Sequence, residues 1–336
     1  MAVDFTVAVC TYNGETRLPE VLERLRSQVC PDTIQWEAIV VDNNSCDRTF
    51  DIVRQYQANW PQNVTLKYCL EPRQGLGFAR QKAIELAQGT WVGFLDDDNL
   101  PASDWVESAH RFGSENPKAG VYGGYIQARY ETDPPAQFHR ISRFLAIGGA
   151  DRPVCYSCDT YAASKKHVYP PGAGVVVRRN AWLKHVPKNL KLQGRVSGLN
   201  LPGDDVEAFT YLRNAGWEIW HNPAMRIEHA IPKQRLELGY IKQMMWRTGL
   251  SRHHTRYLAF QQKYWLMLPL YWLNDLRKLV QHCWQYSLFI NDIVSTGERQ
   301  LILGSLASPF YFLFWQLRRR LSPPSFNKHL GDLKAL

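Results

Sequence analysis

The stretch Trp91 to Asn99, W-V-G-F-L-D-D-D-N, constrains the fold more than any other. Trp91, Val92, Phe94 and Leu95 form a short apolar run that reads as a strand buried on both faces, as in a sheet covered by helices on each side. The run stops at three consecutive carboxylates, Asp96, Asp97 and Asp98. Three such charges at the end of a buried strand repel one another and raise their own pKa values unless a cation sits among them. A solvated acidic turn is the bland alternative, because Asp and Asn are common in turns. In open α/β sheets, however, ligands bind beyond the carboxyl ends of the strands. What separates the two readings is whether other strands end on chemistry at the same edge.

They do. Asp4 to Val9 is a run of β-formers followed by the turn Thr11-Tyr12-Asn13-Gly14. Thr16 to Gln28 carries Leu18, Val21, Leu22 and Leu25 at helical spacing. Trp36 to Val41 is a second apolar strand and ends on Asp42, after which Asn43-Asn44-Ser45 turn and Asp47 is placed to cap a helix reaching about Ala58. Val64 to Leu70 is a third strand. Gly75 and Gly77 open a helix with Arg80 in its first turn, and Gly89 closes it before the Trp91 strand. This alternation with short loops predicts a parallel, doubly wound sheet. Tyr12, Asp42 and Asp96–Asp98 then share one crevice. A dinucleotide fingerprint would need G-x-G-x-x-G directly after the first strand, where this chain has T-Y-N-G, which argues against hydride transfer. The glycine pair reads either as a helix N-terminus approaching a phosphate, with Arg80 beside it, or as a tight turn.

Further along, Ser103 to Phe112 is predicted helical and Val121 to Arg129 a strand; residues from about Glu131 to Tyr169 are irregular, a length usual for a lid or acceptor-binding segment. Pro171-Gly172-Ala173-Gly174 turns into the strand Val175–Val177, its small residues leaving room for a ligand against the backbone. Gly203-Asp204-Asp205-Val206-Glu207 opens a helix to Asn214, and two short strands, Trp217 to Trp220 and Met225 to His229, follow.

The 336 residues fit one large domain or two ordinary ones, and 45% hydrophobic with 12% aromatic content supplies a core. Seven scattered cysteines, with Cys155 and Cys158 as the lone C-x-x-C, read as ordinary thiols of a reducing compartment. Met1 leads straight into V-D-F-T-V-A-V without signal-peptide features, which predicts a cytosolic protein. Net charge is +9 but uneven: residues 231–336 hold 15 Lys and Arg against 5 Asp and Glu, and the first 230 are nearly neutral. A neutral front and a basic tail suggest two jobs.

The sequence closely resembles the family 2 glycosyltransferases. The matching elements are T-Y-N-G, V-V-D-N-N-S at 40–45, Gly75 to Arg80, F-L-D-D-D-N at 94–99, P-G-A-G-V-V-V-R-R at 171–179, G-D-D-V-E at 203–207 and the closing His229. The whole length more loosely resembles cyanobacterial glycosyltransferases of hormogonium polysaccharide biosynthesis. The resemblance implies a GT-A (Rossmann-like) α/β fold with a mixed, mainly parallel sheet flanked by helices. Residues 1–230 are then the catalytic domain and 231–336 a basic, Trp-rich helical extension. It implies a nucleotide-sugar donor held by Tyr12, Asp42, Asn44, Arg80, Asp96 and Asp97. Mg²⁺ or Mn²⁺ is implied on Asp98, Asp96 and His229, assisting departure of the diphosphate. Asp205 is the implied general base, with Asp204 standing where Glu is commoner. Helix capping by Asp204-Asp205 and a structural role for His229 are the alternatives. One base without an enzyme nucleophile implies inversion. The order of Gln243-Met244-Met245-Trp246-Arg247 departs from the Q-x-x-R-W of processive members, which implies one sugar per encounter.

Beyond His229 the chain reads as helical. Its longest charge-free stretch, Gln300 to Leu317, is interrupted by Gly304, Ser305, Ser308 and Pro309 and runs into Arg318-Arg319-Arg320. Spanning needs about 20 predominantly apolar residues. Two readings stand: amphipathic helices on an anionic membrane surface, peripheral at the inner face of the plasma membrane beside a glycan or polyprenyl-linked acceptor, or a helical cap on the catalytic domain. Nucleic acid is not expected, since no recognised motif accompanies the charge. Two other functions are weighed. A nucleotidyltransferase needs a Gly-rich basic loop after the first strand, which T-Y-N-G lacks. A non-catalytic sugar-nucleotide or polysaccharide-binding protein needs neither the intact acidic triplet nor the base.

Overall fold

The computed structural model describes residues 2–157, 169–192, 201–286 and 292–321. Among them nine strands form one sheet. They are β1 (Phe5–Thr11), β2 (Trp36–Asp42), β3 (Thr65–Leu70), β4 (Trp91–Asp96), β5 (Asn99–Pro101), β6 (Ala119–Tyr130), β7 (Val154–Cys155), β8 (Val175–Arg178) and β9 (Glu218–Ile231). Their order is β3-β2-β1-β4-β8-β6-β9-β5, with β7 also on β9. β1 to β4 pair in parallel. β8 enters antiparallel between β4 and β6, so the sheet is mixed.

Side chains alternate across the sheet as the strand period requires. Phe5, Val7 and Val9 of β1 face one side, where they pack on α1 (Leu18–Arg26), α2 (Thr49–Ala58) and α4 (Trp105–Glu115). Ala8 and Cys10 face the other, against α3 (Leu76–Leu86), α5 (Arg179–His185) and α6 (Asp204–Asn214). Gly93 in the middle of β4 is required by this packing: a Cβ there would stand 2.5 Å from Trp105 and 3.0 Å from Phe5. Asp47, the expected N-cap of α2, stands one residue before the N-cap Arg48, and its Oδ1 accepts from the Thr49 N–H at 3.1 Å.

Two expectations change. The two short strands predicted at 217–220 and 225–229 are one long strand, β9. It accommodates Pro223 through a register shift against β6 between Gly123 and Tyr125. The unforeseen β5 pairs antiparallel with β9, Asn99 opposite His229, which fixes that histidine beside the acidic turn. The cysteine reading also fails at one position. Cys155 is disulfide-bonded, and Cys158 lies outside the described residues.

The basic extension is three helices, α7 (Leu238–Phe260), α8 (Tyr264–Tyr286) and α9 (Ile293–Leu321). α7 and α9 meet backbone to backbone at two glycines: a Cβ on Gly249 would lie 2.4 Å from the Leu301 carbonyl oxygen, and one on Gly304 2.4 Å from that of Trp246. Ile241, Met245, Val294 and Leu301 bury themselves with Phe138, Ile141 and Leu145 of two short 3-10 turns, Phe138–Arg140 and Ser142–Leu145. An Arg140–Glu298 ion pair ties the same elements together. Among the described residues, no helix is long and apolar enough to cross a membrane.

Candidate active site

The strand ends open into a cleft of about 640 Å³ lined by Tyr12, Arg80, the Asp96–Asp98 triplet, Asp204 and Asp205, together with residues the sequence did not single out. Tyr12 stands at the end of β1 with 45% of its surface exposed, a free aromatic face at the rim.

Each carboxylate of the triplet faces a different arginine. Asp97 accepts from Arg17 Nε on Oδ1 and Nη2 on Oδ2, both at 2.9 Å, and from the Thr11 hydroxyl at 2.7 Å. Asp98 Oδ2 lies 2.8 Å from Arg235 Nη2 and 3.5 Å from His229 Nε2, and its Oδ1 accepts from Asn99 Nδ2 at 2.9 Å. Asp96 turns to Arg80, whose Nη2 is 3.7 Å away. The expectation that the triplet tolerates itself only around one shared cation is therefore corrected: three guanidinium groups from distant parts of the chain separate the charges.

Their titration follows these partners. Burial would push the Asp98 carboxyl up, but contact with His229 and the Arg235 charge outweigh it and hold the group at about 2. Asp96 is raised to about 6 by burial, which Arg80 offsets only in part while Asp98 and Asp97 add to it. Asp204 is raised to about 6 for the same reason, burial ahead of Arg80.

Arg80 is buried at the centre of this arrangement. It donates Nη1 to Asp204 Oδ2 at 3.0 Å and Nη2 to the Gly172 carbonyl at 3.2 Å, and lies over the Phe94 ring at 5.6 Å. Its charge is spent on Asp204 and Asp96, so it is not the free phosphate contact the glycine pair suggested. The small residues of Pro171–Gly174 serve Arg80 for the same reason: a Cβ on Gly172 would stand 2.6 Å from its Nη2. The Gly172 N–H donates to Asp205 Oδ2 at 3.0 Å, and the Val206 N–H to Asp205 Oδ1 at 2.8 Å. Asp205 thus sits in the cleft wall, oriented by backbone, while Asp204 is locked beneath it.

Other expected residues stand elsewhere. Asp42 is buried behind the cleft, accepting from the Ser45 N–H and the Tyr68 hydroxyl, both at 2.8 Å. Its neighbour Asn43 lines the cleft instead and accepts from the Gly75 N–H at 2.7 Å. Asn44 is an exposed turn residue in the left-handed region at φ 67° and does not line the cleft. Among the expected metal ligands, only Asp98 and His229 face one another. No three His, Cys, Asp or Glu side chains among the described residues gather into a ligand group.

Arg235 Nη1 lies 2.9 Å from His229 Nε2, and His229 Nδ1 is buried without a hydrogen-bond partner among the described residues. Sequence reading missed Arg17 and Arg235, and also Arg143, Phe144 and Arg252, which close the cleft from the helical side. Arg17 and Arg235 follow the T-Y-N-G and His229 motifs by a few residues, the one available signal.

Comparison with known proteins agrees with the geometry. The solved structure of S. aureus TarS 1-349 in complex with UDP-GlcNAc superposes with a TM-score of 0.50 at 15% identity over 92% of either chain, a likeness of fold. The fold is GT-A, a mixed sheet flanked by helices with helices at its C-terminal side, and the protein is a glycosyltransferase. The family model "Glycosyl transferase family 2" matches residues 6–182, more than half of the chain, and the chain belongs to that family. "Succinoglycan biosynthesis protein ExoM" of Rhizobium meliloti is 25% identical over 75% of this chain and 74% of its own length. A "PGL/p-HBAD biosynthesis glycosyltransferase" of Mycobacterium bovis is 32% identical over 36% of this chain and 46% of its own.

Proposed function

We propose that the protein is a metal-dependent, inverting glycosyltransferase. It moves one sugar per encounter from a UDP-sugar to a hydroxyl of a glycan or lipid-linked acceptor in exopolysaccharide biosynthesis. The observation that carries this reading is the meeting, in one cleft, of the Tyr12 ring, the β4 carboxylates and the carboxylate pair at the head of α6. The names of ExoM and of the TarS–UDP-GlcNAc complex lend it support.

In this reading Tyr12 stacks on the base, Asp42 shapes the base pocket from behind through Tyr68 and Ser45, and Asp96 and Asp97 face the ribose. Asp98 and His229 would hold Mg²⁺ or Mn²⁺ together with the donor diphosphate. Their chemistry suits such an ion: a carboxylate oxygen and an imidazole nitrogen lie 3.5 Å apart, with the Arg235 guanidinium against both. When bound, the metal supplies charge neutralisation for the departing diphosphate. Asp205, held by two backbone N–H groups, takes the acceptor hydroxyl proton as that oxygen attacks the anomeric carbon from the side opposite the diphosphate. With no enzyme nucleophile this is one displacement, and configuration inverts. Asp204 positions Arg80.

The helical extension supports a membrane role. α8 exposes Trp265, Leu266, Leu270, Leu273 and Trp284, and α9 exposes Phe310 and Phe314, with Leu266 at 82% and Trp284 at 91%. Tyr264 to Asn274 and Gln300 to Leu317 are charge-free, and Lys263, Arg277, Lys278 and Arg318–Arg320 flank them in sequence. An apolar face bordered by cations suits the headgroup region of an anionic leaflet.

A panel of nucleotide sugars incubated with the protein and Mn²⁺ tests the catalytic reading. One donor should be hydrolysed slowly in a metal-dependent way. Asp205→Asn should lose transfer by about 10²- to 10⁴-fold, the usual worth of a general base, while still binding nucleotide. Full transfer by Asp205→Asn would reject Asp205 as the base.

A further inference from the structure

The cleft carries two arginines that nothing in the reaction so far uses. Arg252 of α7 and Arg143 of the Ser142–Leu145 turn both line the cleft. Neither guanidinium has a hydrogen-bond or ion-pair partner among the described residues. Arg143 only lies over the Phe144 ring, 4.9 Å from its centroid. The carboxylate within range, Asp275, is already taken: Arg256 reaches it at 2.9 and 3.3 Å and Ser305 donates to it at 2.6 Å. Burial, and then the neighbouring Arg256, depress Arg252 to about 10, the direction expected of a cation whose compensation is incomplete. Arg252 is half-buried and Arg143 exposed, so both guanidinium groups are open to an anion that enters from the cleft.

Its place in the cleft says which anion. Gly203, the residue before Asp204 and Asp205, packs toward Ser251 and Thr255, which flank Arg252 on α7: a Cβ there would lie 3.9 Å from Ser251 Oγ and 4.0 Å from Thr255 Cγ2. Arg252 is therefore on the side of the base. α7 also packs between the cleft and α9, whose outer surface carries exposed Phe310 and Phe314. An anionic group on the acceptor, close to the attacking hydroxyl and joined to an apolar chain, meets all three features.

We propose that Arg252 and Arg143 form an anion subsite on the acceptor side of the cleft, which takes the phosphate or diphosphate that joins the acceptor sugar to its lipid. The subsite rests on the reading of Asp205 as the base and deepens it by naming the acceptor class. Guanidinium groups suit this role because their planar fork matches phosphate oxygens. Binding the phosphate anchors the acceptor without contacting the reacting atoms, so Arg252 and Arg143 are positioning residues.

The test uses the full chain saturated with Mg²⁺ and UDP, so that the donor end is filled, and titrates farnesyl phosphate, farnesol and inorganic phosphate by calorimetry. Farnesyl phosphate should bind and farnesol should not; inorganic phosphate binding as tightly as the prenyl ester would show that the subsite serves free phosphate and overturn the lipid assignment. Arg252→Gln and, separately, the exposed Arg143→Gln should each weaken farnesyl phosphate by about tenfold, the scale of one charge-assisted hydrogen bond. Neither change removes an ion pair, so both variants should fold. Unchanged affinity in both variants overturns the proposal. So does a parallel loss of UDP affinity, which would put the arginines on the donor diphosphate. Failure of the wild-type protein to bind UDP at all would strike the glycosyl-transfer reading instead.

Discussion

Arg235 offers the sharpest perturbation. Its guanidinium bridges Asp98 Oδ2 at 2.8 Å and His229 Nε2 at 2.9 Å, the place a divalent cation would take between the same two atoms. Metal entry then has to displace it, and the cost of displacement is subtracted from the affinity of the site. The Asp98 carboxyl falls from 3.8 to about 2 despite burial. A charge-assisted hydrogen bond of the kind Arg235 makes to Asp98 is worth about 1.5–3 kcal/mol. Arg235→Ala should therefore tighten Mn²⁺ binding to the nucleotide-free protein by about 10- to 100-fold, read by calorimetry or by loss of the free Mn²⁺ resonance signal. The sign of the stability change can be checked in parallel. A depressed carboxylate stabilises above its unfolded pKa and loses that contribution as pH falls through the folded value. Without Arg235 the Asp98 pKa rises, so the variant should lose stability at a higher pH on acidification. Mn²⁺ affinity that is unchanged or weaker in Arg235→Ala would refute the idea that arginine and metal compete for one position.

Two further outcomes follow from the same geometry. Asp96 is raised to about 6 by burial and by its acidic neighbours, so donor turnover should fall as pH drops below about 6; Asp204→Asn removes one of the charges that raise the acidic cluster around Arg80, and the acid limb should move to lower pH. A pH–rate profile that does not move between wild type and Asp204→Asn contradicts the shared Arg80 arrangement. On the membrane side, Leu266→Glu and Phe314→Glu place charges on the exposed apolar face. Each should reduce flotation with vesicles containing anionic lipid, while the melting temperature stays close to that of the wild type because both positions are exposed. Equal flotation by the variants would remove that face from membrane binding.

The strand ends were legible because burial on both faces leaves a compositional trace. β1, β2 and β4 are apolar almost throughout and each stops on a polar side chain, so the crevice follows from adding a parallel sheet. What partners the carboxylates was not legible. Asp97 meets Arg17 across 80 residues of sequence, and Arg80 meets Asp204 across 124. A charge read in its own neighbourhood looks unpaired when its counter-ion arrives only through the fold. The same blindness made Arg80 look free for a phosphate and made Asp96, Asp98 and His229 look like one ligand set. The break between the strands expected at 217–220 and 225–229 is absent: β9 passes through Pro223 because the sheet absorbs the irregularity as a register shift. The tail's helices were visible in its composition. Which wall of the cleft they build was not, since Thr248, Ser251, Arg252 and Thr255 carry no pattern apart from their contact with the site.

The central claim is that Asp98 and His229 form a divalent-cation seat shared with a nucleotide diphosphate. Calorimetric titration of the protein with UDP, with and without Mn²⁺, and the same pair of titrations on Asp98→Asn, measures it most directly. The wild type should bind UDP at least about tenfold more tightly with Mn²⁺ present, and Asp98→Asn should bind with no dependence on the metal. UDP affinity that is indifferent to Mn²⁺ in the wild-type protein would contradict the claim.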